Sequence, residues 1–144
     1  MTITEQKAAQ RKAGIAARRA LSDTERTHSN AALCARIMTL DCFKKAENIL
    51  LYAAFGGEAD LSALAVEAAR QGKTLAYPVC GEGFSLTAAV PGPDGWEVGT
   101  YGIRTAILSR SAVLPPDKLA LVVVPCTAFA AVCRRVGMGK GDYE

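Results

Sequence analysis

Three groups of residues have the types and spacing to do chemistry. The first is a cationic row. Lys7, Arg11 and Arg18 fall within roughly 40° of one another at about 100° per helical residue. Gly14 lies on the same row and leaves room on it. Such a row either grips a polyphosphate, with arginine supplying a planar fork of donors, or is a solvated helix face. The second group is the run Arg134-Arg135-Val136-Gly137-Met138-Gly139-Lys140-Gly141. Alternating glycines let backbone N–H groups approach an anion, and Lys140 adds a point charge. The run is not a Walker A loop, which needs G-x-x-x-x-G-K-[ST]; a Gly-rich surface turn is the plain alternative. The third is Glu58, placed after an apolar run and the Gly56-Gly57 pair. Open α/β sheets bind ligands at the carboxyl ends of their strands, and an acid there otherwise only solvates a loop.

Each group needs an element to position it. Glu5 to Leu21 is rich in Ala, Lys, Arg and Gln and reads as a helix. Ser22-Asp23-Thr24-Glu25 is a capping box that opens a second helix, with Leu33, Ile37 and Leu40 on its apolar stripe. Ile49 to Phe55 reads as a buried strand, and Asp60 as the cap of a helix that ends at Gly72. Thr74 to Val79 and Phe84 to Val90 read as further strands, with a turn at Pro91 to Gly95. Leu119 to Val124 is an unalternating apolar run stopped by Pro125, which suits a strand covered on both faces. Strands interleaved with helices give an α/β class.

Composition limits what these elements can serve. The chain has 144 residues, half of them hydrophobic and 22% charged, which excludes a disordered or collagen-like chain. Its longest unbroken apolar run is far too short to span a bilayer, and Met1 to Lys12 lacks the apolar region of a secretory signal. The net charge of +3 is uneven: residues 1–36 carry seven Lys or Arg against three acids. That is well below the clustering of a nucleic-acid binder, and no aromatic-rich strand supplies a stacking platform. The one histidine, His28, has no partner spacing for a zinc site or a triad and reads as a surface helix residue. Cys34, Cys42, Cys80, Cys126 and Cys133 are odd in number and show no C-x-x-C pair, which fits reduced thiols in the cytoplasm.

Taken in order, the residues resemble the 5-formyltetrahydrofolate cyclo-ligases, also called methenyltetrahydrofolate synthetases. The K-x-x-x-R and R-x-x-L-S patterns of that family are matched by Lys7, Arg11 and Arg18-Arg19-Ala20-Leu21-Ser22. Tyr52 to Glu58 followed by Asp60 match its Y-x-x-x-x-x-E then x-D, and Gly72-Lys73 precede the next strand, which closes with Pro78. Glu97, Gly99, Tyr101, Gly102 and Ile103 match the segment that usually reads y-G-I-x-E-P, and Leu119 to Phe129 the strand into P-g-v-A-F. Arg135, Gly137, Gly139, Lys140, Gly141, Asp142, Tyr143 and Glu144 take the places of R-x-G-x-G-K-G-Y-Y-D. Departures from the pattern are Thr105-Ala106 for E-P, Cys126 for Gly, Ala130 for an acid, Asp142 for Tyr and Glu144 for Asp.

The resemblance implies one α/β domain over residues 1–144. It would have three layers, with a mostly parallel sheet flanked by helices and an N-terminal helical pair, and would lack the family's C-terminal part. It implies an ATP- and magnesium-dependent ligase of one-carbon metabolism that closes a C–N ring, turning 5-formyltetrahydrofolate into 5,10-methenyltetrahydrofolate. ATP would be bound by Lys7, Arg11, Arg135, Gly137, Met138, Gly139, Lys140, Gly141, Asp142 and Tyr143. Arg135 and Lys140 would be catalytic. Folate would meet Ala53, Glu58, Tyr101 and the Met138, Gly139, Lys140, Gly141, Asp142 stretch, and Glu144 would hold magnesium. A second reading is a truncated or degenerate relative that binds nucleotide or folate without turnover. The expected setting is the cytoplasm, without nucleic-acid or membrane partners; the sequence sets no oligomeric state, and a monomer is the default expectation. In protein purified without oxidant, titration under denaturing conditions should give five thiol equivalents per chain; an intramolecular disulfide seen by mass would overturn the cytoplasmic expectation.

Overall fold

The computed structural model describes residues 1–83, 85–99, 102–139 and 143. Helix α1 runs over Ile3–Arg19 and α2 over Asp23–Met38. Both open on reciprocal capping boxes. The Ser22 hydroxyl accepts from the Glu25 N–H while the Glu25 carboxylate accepts from the Ser22 N–H, each at 3.1 Å. The same box joins Thr2 and Glu5, so α1 begins two residues ahead of the helix expected from Glu5. Helix α3 covers Asp41–Lys45 and α4 covers Ser62–Arg70. Asp60 does cap α4, from just outside it: its Oδ1 accepts from the Ser62 N–H at 2.8 Å. Gly72, at φ +78, ends that helix in the left-handed region.

The strands are β1 (Asn48–Leu50), β2 (Thr74–Cys80), β3 (Leu86–Pro91), β4 (Trp96–Val98), β5 (Arg104–Ala106), β6 (Ser111–Leu114), β7 (Leu121–Val122), β8 (Ala128–Phe129) and β9 (Arg135–Val136). Five form one sheet in the order β6-β3-β2-β1-β7. Strand β1 is parallel to both β2 and β7, whereas β2–β3 and β3–β6 are antiparallel. The sheet is therefore mixed rather than mostly parallel. The connection from β2 to β3 is only a few residues long, and a link that short can only reverse the chain. Hairpins β4–β5 and β8–β9 form separate two-stranded pairs, not hydrogen-bonded into this sheet.

Residues of α2, α3 and α4 bury one face of the sheet. Cys34, Phe43, Ile49, Leu51 and Leu64 are essentially fully buried there, with Ala68 and Tyr52 beside them. Trp96 of β4 meets Tyr77 of β2 edge-on at 4.7 Å between centroids. The opposite face carries Leu50, Ala76 and Ala88, with Val90, Leu114, Leu119 and Tyr143 around them. It forms an open apolar groove of about 450 Å³ rather than a helix-covered third layer among the described residues.

The run expected as a strand from Leu119 to Val124 pairs as β7 over two residues only, extended by N–H bonds from Ala120 to Asn48 O and from Val123 to Leu50 O, both 2.9 Å. It lies at the sheet edge, so Val122 keeps 43% of its surface exposed. Likewise β1 stops at Leu50, and Leu51 and Tyr52 stay buried beyond it while the chain bends into the glycine pair.

Helix α1 buries no residue completely, and it meets the β8–β9 hairpin through a close backbone approach. Gly14 lies so near the Thr127 carbonyl that a Cβ there would overlap it. Thr127 is itself tied into the β8–β9 hairpin by its N–H and hydroxyl, both bonded to Val136 O at 2.7 and 2.9 Å. Gly14→Ala gives the test by its sign. Helix propensity alone would make it stabilising by about 1 kcal/mol. Overpacking against Thr127 should instead make it destabilising by about 1–3 kcal/mol in urea unfolding. A net gain would show that α1 does not sit on the hairpin as described.

Candidate functional site

The cationic row of α1 reaches two places, divided by the Gly14–Thr127 contact. One turn before Gly14, half-buried Arg11 donates from Nε to the Gly137 carbonyl at 2.7 Å. Its guanidinium also covers Gly139: a Cβ there would meet Arg11 Nη2 at 3.0 Å, and the φ of +90 disfavours any side chain. A Cβ on Gly137 would meet Arg135 Nη1 at 2.9 Å, and the Arg135 guanidinium lies 5.9 Å from the Tyr143 ring centroid. Arg11, Arg135, Gly137, Gly139 and Tyr143 are thus gathered in one locus, with Met138 exposed between the glycines. Lys7 is exposed one turn before Arg11. Lys140, Gly141, Asp142, Glu144 and Tyr101 lie outside the described residues.

Two turns after Arg11, about 10 Å along the axis, Arg18 lines a cavity of about 480 Å³. Its walls come from the α1–α2 corner, the Gly57–Leu61 segment and residues 123–127. Glu58 is set in this wall, its Oε1 accepting from the Phe55 N–H at 2.9 Å. Burial raises the Glu58 carboxyl above its ordinary range, while that hydrogen bond and the Arg18 charge draw it partly back. Tyr52 donates its hydroxyl to Ala59 O at 2.9 Å and is pushed up to about 12, by burial first and the Glu58 charge second. Ala53 is half-buried next to Tyr52 and is not part of this cavity's lining.

Several residues that shape the cavity carry no signal in the sequence. Arg26 donates from Nη2 to the Arg18 carbonyl at 2.6 Å and packs flush on Gly57, where a Cβ would lie 2.9 Å from its Nη1. Asn30 Oδ1 accepts from the Asp60 N–H at 3.1 Å, and the Cys34 thiol donates to Asp60 O at 3.6 Å. Together they pin the segment that carries Glu58. Only the turn between α1 and α2 brings Arg26 back to Arg18, and no spacing rule reports that. Arg18 had a motif but no assigned role.

Among the described residues no group of three or more His, Cys, Asp or Glu could hold a metal ion. Magnesium does not require such a cage, since it is commonly bound through one or two carboxylates and substrate phosphates. No helix of the described residues is long and apolar enough to cross a membrane.

The geometry is that of an α/β protein whose first helix joins a cation-lined glycine loop to a ligand-sized cavity. The model of the 5-formyltetrahydrofolate cyclo-ligase family matches residues 3–144, and the chain belongs to that family. It is 27% identical over 130 residues to the 5-formyltetrahydrofolate cyclo-ligase of Escherichia coli K12, covering 88% of this chain and 71% of that protein. The Haemophilus influenzae cyclo-ligase is 30% identical over 104 residues, 70% of this chain and 56% of its own length. The Aquifex aeolicus 5,10-methenyltetrahydrofolate synthetase superposes with a TM-score of 0.81 at 30% identity, over 95% of this chain and 69% of that one. The Mycoplasma pneumoniae enzyme shares the fold, with a TM-score of 0.75 at 19% identity over 95% of this chain and 74% of its own.

The Glu58 carboxyl offers a check on the cavity. A raised folded-state pKa carries stability that is full below the ordinary value of 4.5 and is lost as pH rises through the raised one. Between about pH 4 and pH 8 the parent chain should therefore lose stability relative to Glu58→Gln in urea unfolding. A constant difference across that range would show that the carboxyl is not buried.

Proposed function

We propose that the protein converts 5-formyltetrahydrofolate to 5,10-methenyltetrahydrofolate at the expense of ATP. The observation that carries this reading is the Arg11–Gly137 bond, which fixes the glycine loop to the same helix that borders the Glu58 cavity. A reaction that moves a phosphoryl group onto a second ligand needs two such sites side by side.

The formyl oxygen is a poor leaving group. It takes the γ-phosphoryl of ATP, releasing ADP. N10 then attacks the activated carbon and loses its proton, and the C–O bond breaks to release phosphate. Such transfer depends on positioned cations more than on a protein nucleophile. Arg11 and Lys7 would face the phosphates from α1. Arg135, Gly137, Met138, Gly139, Lys140, Gly141, Asp142 and Tyr143 would surround them from the loop, with Arg135 and Lys140 stabilising charge on the transferred group. Glu58 would hydrogen-bond the folate, with Ala53 and Tyr101 near it and residues 138–142 between the two ligands. Magnesium would be held by Glu144 and phosphate oxygens, and when bound it neutralises charge on the transferring group. A cytoplasmic setting agrees with an odd number of cysteines and no C-x-x-C pair.

The absorbance of methenyltetrahydrofolate provides the assay. Product should form only with ATP. Arg11→Ala and Lys140→Ala should each lower turnover about 100- to 1000-fold, the scale of losing one preorganised donor. Product formation that needs no ATP, or that survives both substitutions, would refute the reading.

A further inference from the structure

Among the groups that line the Glu58 cavity, most polar ones already have partners in the protein. Arg26 Nη2 is bonded to the Arg18 carbonyl, Tyr52 to Ala59 O, and Asn30 to the Asp60 N–H. Arg18 differs. Its Nε is buried and has no hydrogen-bond partner. Sealed in this way, Nε itself meets no ligand, but it leaves the guanidinium short of a partner, and Arg18 is part of the cavity lining. The side chain is nonetheless held in place, with Cγ within 3.5 Å of the Cβ position of Gly57 and the backbone gripped by Arg26. Its charge acts on Glu58, which lines the same cavity.

A fixed donor next to a carboxylate is complementary to one heterocycle edge. In a 2-amino-4-oxopyrimidine ring the 2-amino group and N3–H donate side by side, and the 4-oxo group beside them accepts. A carboxylate takes the two N–H groups, and a neighbouring guanidinium takes the carbonyl. We infer that Arg18 reads the 4-oxo group of a 2-amino-4-oxopteridine whose N–H edge is held by Glu58. The inference rests on the folate reading above and makes Arg18 a specificity-determining residue of that site. The cavity of about 480 Å³, with mostly apolar walls, is in the range of small-molecule sites.

Folic acid and its 4-amino-4-deoxy counterpart differ in the 4-substituent and in the N3 proton, which only the 4-oxo compound carries, and serve as probes in calorimetric titrations. The unaltered chain should bind the 4-oxo compound at least tenfold more tightly. Arg18→Gln should weaken the 4-oxo compound by about 10- to 100-fold, the scale of one charge-assisted hydrogen bond. It should leave the 4-amino compound unchanged, so the preference shrinks by that factor to what the N3–H contact with Glu58 contributes. Arg18→Lys, which keeps the charge and loses the planar donor, should recover part of the preference and covers the case in which the glutamine variant does not fold. A preference unchanged in both variants overturns the inference while leaving the folate reading intact. So does a selective loss of p-aminobenzoylglutamate binding, which would assign Arg18 to the tail carboxylates. Failure of the unaltered chain to bind either pteridine overturns the folate reading, and this inference with it.

Discussion

The absence of a side chain at Gly14 sets the distance between α1 and the β8–β9 hairpin. With the backbones in contact at Thr127, Arg11 is close enough to bond the Gly137 carbonyl at 2.7 Å. The same contact leaves Arg18 beyond the hairpin, against Gly57 and the cavity. A methyl group at Gly14 would overlap the Thr127 carbonyl and push these two backbones apart. The glycines at 57, 137 and 139 repeat the arrangement, each giving the space of a Cβ to a guanidinium. Cation and backbone are packed against each other at these three places, and backbone against backbone at Gly14, which is how a domain with few described ion pairs builds a rigid positive surface.

The electrostatics of the cavity follow from that packing. Glu58 is drawn two ways, with burial favouring its neutral form and Arg18 its charged form. Burial is the larger effect. A carboxyl so placed can accept from N–H donors once a ligand arrives and gains most from one that replaces lost water. Tyr52, by contrast, is committed to Ala59 and acts on the shape of the segment rather than on its charge.

Local features were legible in the sequence, and features made by return contacts were not. The Ser22–Glu25 capping box, Asp60 as a cap and Gly72 as a stop are each decided within a few residues. The Lys7–Arg11–Arg18 row follows from helical periodicity, and the resemblance put Arg11, the glycine loop and Glu58 among the functional residues. The pairing of Arg11 with Gly137 follows from neither. The edge position of β7 was also hidden, because a run of apolar residues does not report how many neighbours its strand has. Arg26 and Asn30 look like ordinary polar residues of a solvated helix until the α1–α2 corner folds them back. The Thr2–Glu5 box was available and predicts the true start of α1.

The bond between Arg11 and Gly137 spans 126 positions of chain. Before the hairpin exists, α1 has only its capping box and its helix propensity, and it buries nothing completely of its own. The glycine loop meanwhile has no guanidinium to lean on. Closing so long a loop is entropically expensive and is rewarded only when both ends are formed. Helix α1 must therefore wait for the hairpin made more than a hundred residues later. The sheet core of Ile49, Leu51 and Leu64 can consolidate in the meantime. By this order of events the pairing of Arg11 with Gly137 is among the last contacts of the described residues to form.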